Sequence, residues 1–402
     1  MKKVLIALII LLALAPALAS ADWPQLRHDA DHTSVADSAL RPPLAVDWQQ
    51  NAGGEVFSSP VLYNGTLFVG NGAGKSLLAL DPATGATKWS YATAASVECT
   101  PAAANGSVVF GSYDGYVYRI DASGGQQAWK FYAQSGIFSS PLIYDNRVYV
   151  GTDDGSFYAL DFATGNEAWT LDKPTQASPA ADGDTVYIGT LDGTFYALNA
   201  STGTYTWTYE TNNSFHSSPL VYNNTVYAAT RDGTLYAFGA GDGRVLWTYD
   251  LGYSTDSTPS VDPSTGTIYV GTYGGRVFAF DRNGGLKWAS DFFGPIYQSV
   301  TVSGDVLYGA SQSGTLFALD RAGKTLWTYS LGKSAFASPT VDGGRLYIAT
   351  MGGSVLAFKE TSAAPTPAPA GSPTTAAAPT PFLGVLACAA ALITAGLYRK
   401  SR

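Results

Sequence analysis

The chain has 402 residues, of which 46% are hydrophobic and only 13% charged, with 44 glycines and a formal charge of −8. An acidic chain is a poor partner for a phosphate backbone, which sets nucleic-acid binding aside, and so little charge argues against an extremely salt-adapted surface. Its two cysteines, Cys99 and Cys388, are too few for a disulfide-stapled fold.

In chain order, Lys2 and Lys3 come first, then an apolar run from Val4 to Leu18 and small residues at Ala17, Ala19 and Ala21. Residues 1–21 read as a secretory signal peptide. No cysteine stands near the cleavage site, so the segment does not match a bacterial lipoprotein signal.

From residue 22 to 360 the chain repeats itself. Trp48, Trp89, Trp129, Trp169, Trp207, Trp247, Trp288 and Trp327 follow one another at gaps of 38 to 41 residues. A period near 40 is one supersecondary unit copied along the chain. Pro60, Pro101, Pro141, Pro219, Pro259 and Pro339 each lie 12 residues after their tryptophan, Val300 holds the same register, and Pro179 follows Trp169 by 10. Between tryptophans lie short runs rich in Val, Tyr, Phe, Thr and Ile, separated by Asp-Gly, Asn-Gly and Thr-Gly pairs that suit tight hairpins. No convincing amphipathic helix interrupts them. Four short strands repeated radially predict an all-β fold, an eight-bladed β-propeller of four-stranded antiparallel blades.

The last copy lacks an outer strand, ending on Val355-Leu356-Ala357-Phe358. Ala45-Val46-Asp47-Trp48 is expected to supply it, closing a monomeric ring with no open edge. The tryptophans are expected to pack between blades.

Residues 361–381 are almost entirely Thr, Ser, Pro, Ala and Gly, the composition of an extended linker. Residues 382–398 carry no charge and, at 1.5 Å per residue, would span roughly 25 Å. Arg399, Lys400 and Arg402 follow. Residues 382–402 therefore read as a transmembrane or sorting segment with a basic end. The propeller would be held at the outer face of the cell membrane, its C-terminus cytoplasmic unless processed. Loss of the signal and tail removes five basic residues and no acid, taking the charge from −8 to −13.

In such a ring the D–A and B–C connections share one face. The D–A loops bring Phe57, Glu98, Phe138, Phe215-His216, Asp256, Tyr297-Gln298 and Phe336 there; the B–C turns bring Lys75, Asp114, Asp153-Asp154, Asp192, Arg231-Asp232 and Tyr273. The recurring phenylalanines suggest blade packing, and the recurring Asp-Gly pairs suggest turn chemistry. Departures from the repeat are the better candidates: Glu98, His216, Asp256, Tyr297 and Gln298 form the expected ligand-binding rim. The short loop at 173–176 suggests a notch in it. A catalytic use would take His216 as base and Glu98 with Asp256 as an acid pair, but three scattered groups do not assign a reaction, and no catalytic residue is assigned. No histidine cluster has metal-ligand spacing, and no calcium-loop series of Asp-x-Asp occurs. Gly70–Ser76 mimics a phosphate loop but is one residue short and joins two strands. Sequons at Asn64, Asn105, Asn199, Asn212 and Asn223 are candidates for N-glycosylation or simply turn residues.

The stretch Gly151-Thr152-Asp153-Asp154-Gly155-Ser156-Phe157-Tyr158-Ala159-Leu160-Asp161, with Thr164-Gly165 and Trp169, resembles the repeat of pyrroloquinoline-quinone-like (PQQ-like) propellers, and Trp23–Asp29 resembles the segment that precedes their ring. The resemblance implies the fold over residues 22–360. Quinoprotein dehydrogenases with this repeat carry an adjacent cysteine pair and long catalytic insertions, which this chain lacks. Neither PQQ nor calcium is therefore expected. The reading is a non-catalytic binding or scaffold module for an envelope protein or glycan; the alternative is an extracellular PQQ-dependent dehydrogenase or polysaccharide-acting enzyme.

Overall fold

A computed structural model describes residues 22–362. The signal segment, nearly all of the linker and the apolar segment at 382–398 lie outside the described residues.

The described residues form eight four-stranded antiparallel sheets. Blade one has strands A to D at Val61–Tyr63, Thr66–Asn71, Ser76–Leu80 and Thr87–Ala92. Blade eight takes A, B and C from Thr340–Asp342, Arg345–Ala349 and Ser354–Glu360, and its D strand from Leu44–Asn51. There Trp48 pairs with Ala357 in the register that Trp89 holds with Ala79 in blade one. The N-terminal strand thus completes the last blade, and its Asp47 ties to Arg345 at 2.8 Å and to Lys359 at 2.5 Å. Gly70–Ser76 joins strands B and C of blade one, as its spacing implied.

Strand B is buried along nearly its whole length in every blade, whereas strand D alternates between buried or half-buried and exposed positions. That alternation is the period of a strand with one face on the core. Six of the eight D-strand indoles donate a hydrogen bond to the next blade; Trp89 Nε1 is buried without a partner among the described residues. Trp129 Nε1 donates to Phe162 O at 3.0 Å, Trp169 to Ala200 O at 3.0 Å, and Trp207 to Ala240 O at 2.8 Å. The closing strand obeys the same rule, with Trp48 Nε1 donating to Pro82 O of blade one at 2.9 Å. The indole lies flat on the glycine of the next C–D turn. Gly165 has φ +74°, and a Cβ there would stand 2.6 Å from Trp129. Trp and Gly therefore recur together because the indole needs a turn with no side chain.

Residues 22–43 form an arm that the repeat pattern does not describe. It runs across the inner strands and bonds to strand A of one blade after another. Trp23 exchanges hydrogen bonds with Leu62, Ala103 N donates to Pro24 O, Ala181 N to Ala30 O, and Val221 N to Asp31 O. Val261 N then donates to Thr33 O and Val302 N to Ser34 O. Arg27, His28, His32 and Ser34 all hold positive φ, which curls the arm tightly enough to stay inside the ring. These contacts lie toward the A–B end of the strands, so the arm closes the central channel on that side.

Candidate functional site

Closure by the arm turns the channel into a blind funnel that opens on the D–A and B–C face. Its cavity volume is about 190 Å³, with Leu26 and Arg27 of the arm among its lining residues. The walls come from one short segment copied in each blade, just before strand A. Four residues before each strand-A proline (or Val300) stands a buried side chain, such as Val56, Val97, Ile137, Phe215 or Ile296, packed between blades. One residue later the chain faces the funnel.

That funnel-facing position carries Phe57, Glu98, Phe138 and Gln176 in blades one to four, and His216, Asp256, Tyr297 and Phe336 in blades five to eight. All the expected rim residues meet around one cavity, with Gln298 beside Tyr297. Two expectations need correction. Phe57, Phe138 and Phe336 line the funnel; the blade-packing side chain is the residue before each of them, because extended chain alternates its faces. Glu98 and Asp256 form no acid pair, because they belong to blades two and six, on opposite sides of an eight-blade ring. The short fourth loop keeps the register, and Gln176 takes its place in the ring.

Two residues deeper lies a second ring, Ser59, Thr100, Ser140, Ser178, Ser218, Thr258, Ser299 and Ser338, all buried. Its hydroxyls link the blades. Ser59 N donates to Thr100 Oγ1 at 3.0 Å, Thr100 N to Ser140 Oγ, Ser140 N to Ser178 Oγ and Ser178 N to Ser218 Oγ at 2.9 Å each. Ser338 N closes onto Ser59 Oγ at 2.9 Å. The series stops between blades five and eight, and there Arg27 enters. Its Nη1 donates to Ser338 Oγ, and its Nη2 to Thr258 Oγ1 at 3.2 Å and Gln298 Oε1 at 2.7 Å. Arg27 is 3% exposed. Burial lowers its pKa to about 9, so it stays charged at neutral pH.

The funnel wall has two characters. Around blades seven, eight and one it is aromatic: Tyr297 lies 4.7 Å from Phe336 and Phe336 5.5 Å from Phe57, centroid to centroid, with the Tyr273 ring tilted against Tyr297 at 4.3 Å. Around blades four to six it is polar. Tyr273 donates to Asp256 Oδ2, while Asp256 Oδ1 is buried with no hydrogen-bond partner among the described residues. Arg231 donates to His216 Nε2 at 3.4 Å. Burial, more than Arg231, lowers His216 below its ordinary value. Opposite, burial raises the Glu98 carboxyl, Ser96 opposing and Glu55 adding to the rise. Burial also pushes Asp153 behind it up to about 6.

Such a wall can stack a ring and exchange hydrogen bonds with its substituents. Cys99, also on the lining, is buried: its Sγ donates to Gly111 O at 3.3 Å, and burial pushes the thiol up to about 12. Cys388 lies outside the described residues. Of the sequons, Asn64, Asn105 and Asn223 hold A–B turns with φ near +50°, and Asn199 caps a C–D turn, all on the closed side; Asn212 is in the D–A loop before blade five. Arg27 and Gln176 were missed by the sequence reading. Aligning every copy on its proline would have exposed Gln176; nothing in the repeat points to Arg27.

A family model described as outer membrane protein assembly factor BamB matches residues 45–101, 79–190, 171–292 and 274–365. The chain belongs to that family. No curated protein sequence matches it. Among solved structures, BamB from Moraxella catarrhalis has a TM-score of 0.70 at 19% identity, covering 79% of this chain and 99% of that one. A europium-containing methanol dehydrogenase has a TM-score of 0.76 at 15% identity, covering 84% and 98%. The computationally designed Ika8 protein has a TM-score of 0.67 at 16% identity, covering 78% and 99%. At these identities the likeness is one of fold. An assembly factor, a dehydrogenase and a designed protein share the ring, so the ring itself selects no activity.

Proposed function

We propose that this BamB-family propeller is a non-catalytic binding module of the cell envelope, displayed at the outer face of the membrane, and that its blind funnel receives a glycan or a segment of an envelope protein. The observation that carries this reading is the contrast between rings. The hydroxyl ring and the tryptophans repeat from blade to blade, whereas the ring at the mouth carries six residue types over eight blades, as a recognition surface does. The family description supports a place in the envelope. The second reading, a quinone-dependent dehydrogenase, is favoured by the likeness to the methanol dehydrogenase. Against it, the described residues hold no group of three His, Cys, Asp or Glu that could seat a metal, and Cys99 has no adjacent partner. The residues present do not fit a calcium-bound quinone.

The test is a combined Glu98→Gln, His216→Gln and Asp256→Asn variant of the full-length protein, assayed for binding to envelope glycans and envelope proteins. Loss of binding with unchanged melting temperature is expected; undiminished binding would sink the funnel as the site. Titration with PQQ and calcium is expected to shift neither melting temperature nor absorption. A saturable shift of several degrees would install the dehydrogenase reading instead.

A further inference from the structure

The funnel floor carries a charge that nothing answers. Arg27 makes no ion pair with any carboxylate of the described residues. Its hydrogen bonds go to two hydroxyls and an amide, and its Nε is buried with no partner. A buried cation held only by neutral groups is costly, and an anion brought to it recovers part of that cost. The guanidinium faces the space enclosed above it. The wall above presents carboxylates at Glu98 and Asp256, which would repel an anion at that height and accept hydrogen bonds from hydroxyls.

Resting on the reading of the funnel as a binding site, we infer that it takes an acidic sugar, with the carboxylate of a uronic acid set down on Arg27. The pyranose ring stands against Tyr297, Phe336 and Phe57, whose faces suit the C–H side of a sugar. Its hydroxyls donate to Asp256 and Glu98. Charge orients the ligand: the acid goes down to the cation, the hydroxyls stay at the level of the acids. Arg27 Nη2 is taken up by Thr258 and Gln298 and Nη1 in part by Ser338, so the carboxylate meets the N–H left on Nη1 in a charge-assisted bond.

The experiment is calorimetric titration of the full-length protein in detergent with D-glucuronate, D-glucose and N-acetylglycine, the last standing for a peptide C-terminus. Glucuronate is expected to bind at least about tenfold more tightly than either of the others. Arg27→Gln is expected to bring glucuronate down to the level of glucose. If that variant does not fold, Phe336→Ala serves: it should weaken glucuronate and glucose together while keeping the preference for the acid. Equal binding of glucuronate and glucose would overturn the role of Arg27 and leave the funnel as a sugar site. Tighter binding of N-acetylglycine would overturn the sugar. Binding of none of the three, with envelope binding still lost in the triple rim variant, would overturn this inference and leave the broader function intact.

Discussion

Two rings of side chains lie two residues apart in the same loop and differ in kind. The deeper one is a hydroxyl in every blade, and its members hold one another. The outer one runs through phenylalanine, glutamate, glutamine, histidine, aspartate and tyrosine, all on one cavity. The first recurs because a like neighbour is met from blade to blade, five times through a backbone N–H to hydroxyl bond. The second meets no blade in common, so nothing in the packing holds its composition fixed. A repeat protein separates these roles by position: what recurs builds the ring, and what varies faces the funnel.

That separation breaks first if a recurring residue proves dispensable. Trp129 is 9% exposed and bridges to blade three through Phe162 O. Trp129→Ala is expected to cost about 3–5 kcal/mol in denaturant unfolding. A loss near zero would mean that the indoles do not hold the blades together.

The arm gives a sharper test because it repeats nothing yet is buried. His32 Nδ1 donates to Pro219 O at 2.8 Å, and burial pushes its pKa down from 6.5 to about 4. A histidine depressed in the folded state stabilises above the unfolded value and loses that contribution as pH falls through 6.5 toward 4. The loss amounts to up to about 3 kcal/mol. Asp31 beside it is raised to about 7 by burial and acts in the opposite sense, losing stability as pH rises. The net curve therefore hides both, and His32→Gln isolates one. Unfolding from pH 7 to 4 should destabilise the wild-type chain more steeply than the variant; parallel curves would mean that the arm does not keep the histidine neutral.

The ring was legible because tryptophan, proline and glycine recur for reasons of packing that period alone displays. Even the closing strand could be read, since the last copy lacks a partner and the segment before Trp48 matches it. The arm was not legible as a plug. Its residues obey no period, and its bonds to seven inner strands go mainly through its backbone, which carries no sequence signal. The site was half legible: Glu98, His216, Asp256, Tyr297 and Gln298 stood out as departures, while Phe57, Phe138 and Phe336 looked structural because they recur. Phe57 and Phe336 share an aromatic wall with Tyr297, while Phe138 lines the funnel from blade three. Arg27 was hidden for the same reason as the arm.

Ser178 in the deeper ring of blade four accepts from Ser140 N and passes its own N–H to Ser218 Oγ, both at 2.9 Å. Ser178→Ala leaves the Ser140 N–H buried without an acceptor and is expected to cost about 1–3 kcal/mol. Two residues before it, Gln176 faces the funnel half-buried. Gln176→Ala removes a longer side chain, yet it should change unfolding free energy by no more than about 0.5 kcal/mol, because it stands half-buried on the funnel, not between blades. Size alone would predict the reverse order. The matched pair separates position from bulk within one loop, and the same two proteins can then be titrated with the ligand. Ser178→Ala should lose stability and keep affinity. Gln176→Ala should keep stability and lose affinity. A glutamine variant as unstable as the serine variant would mean that the outer ring also builds the propeller, and its variety would then need a cause in the packing of individual blades.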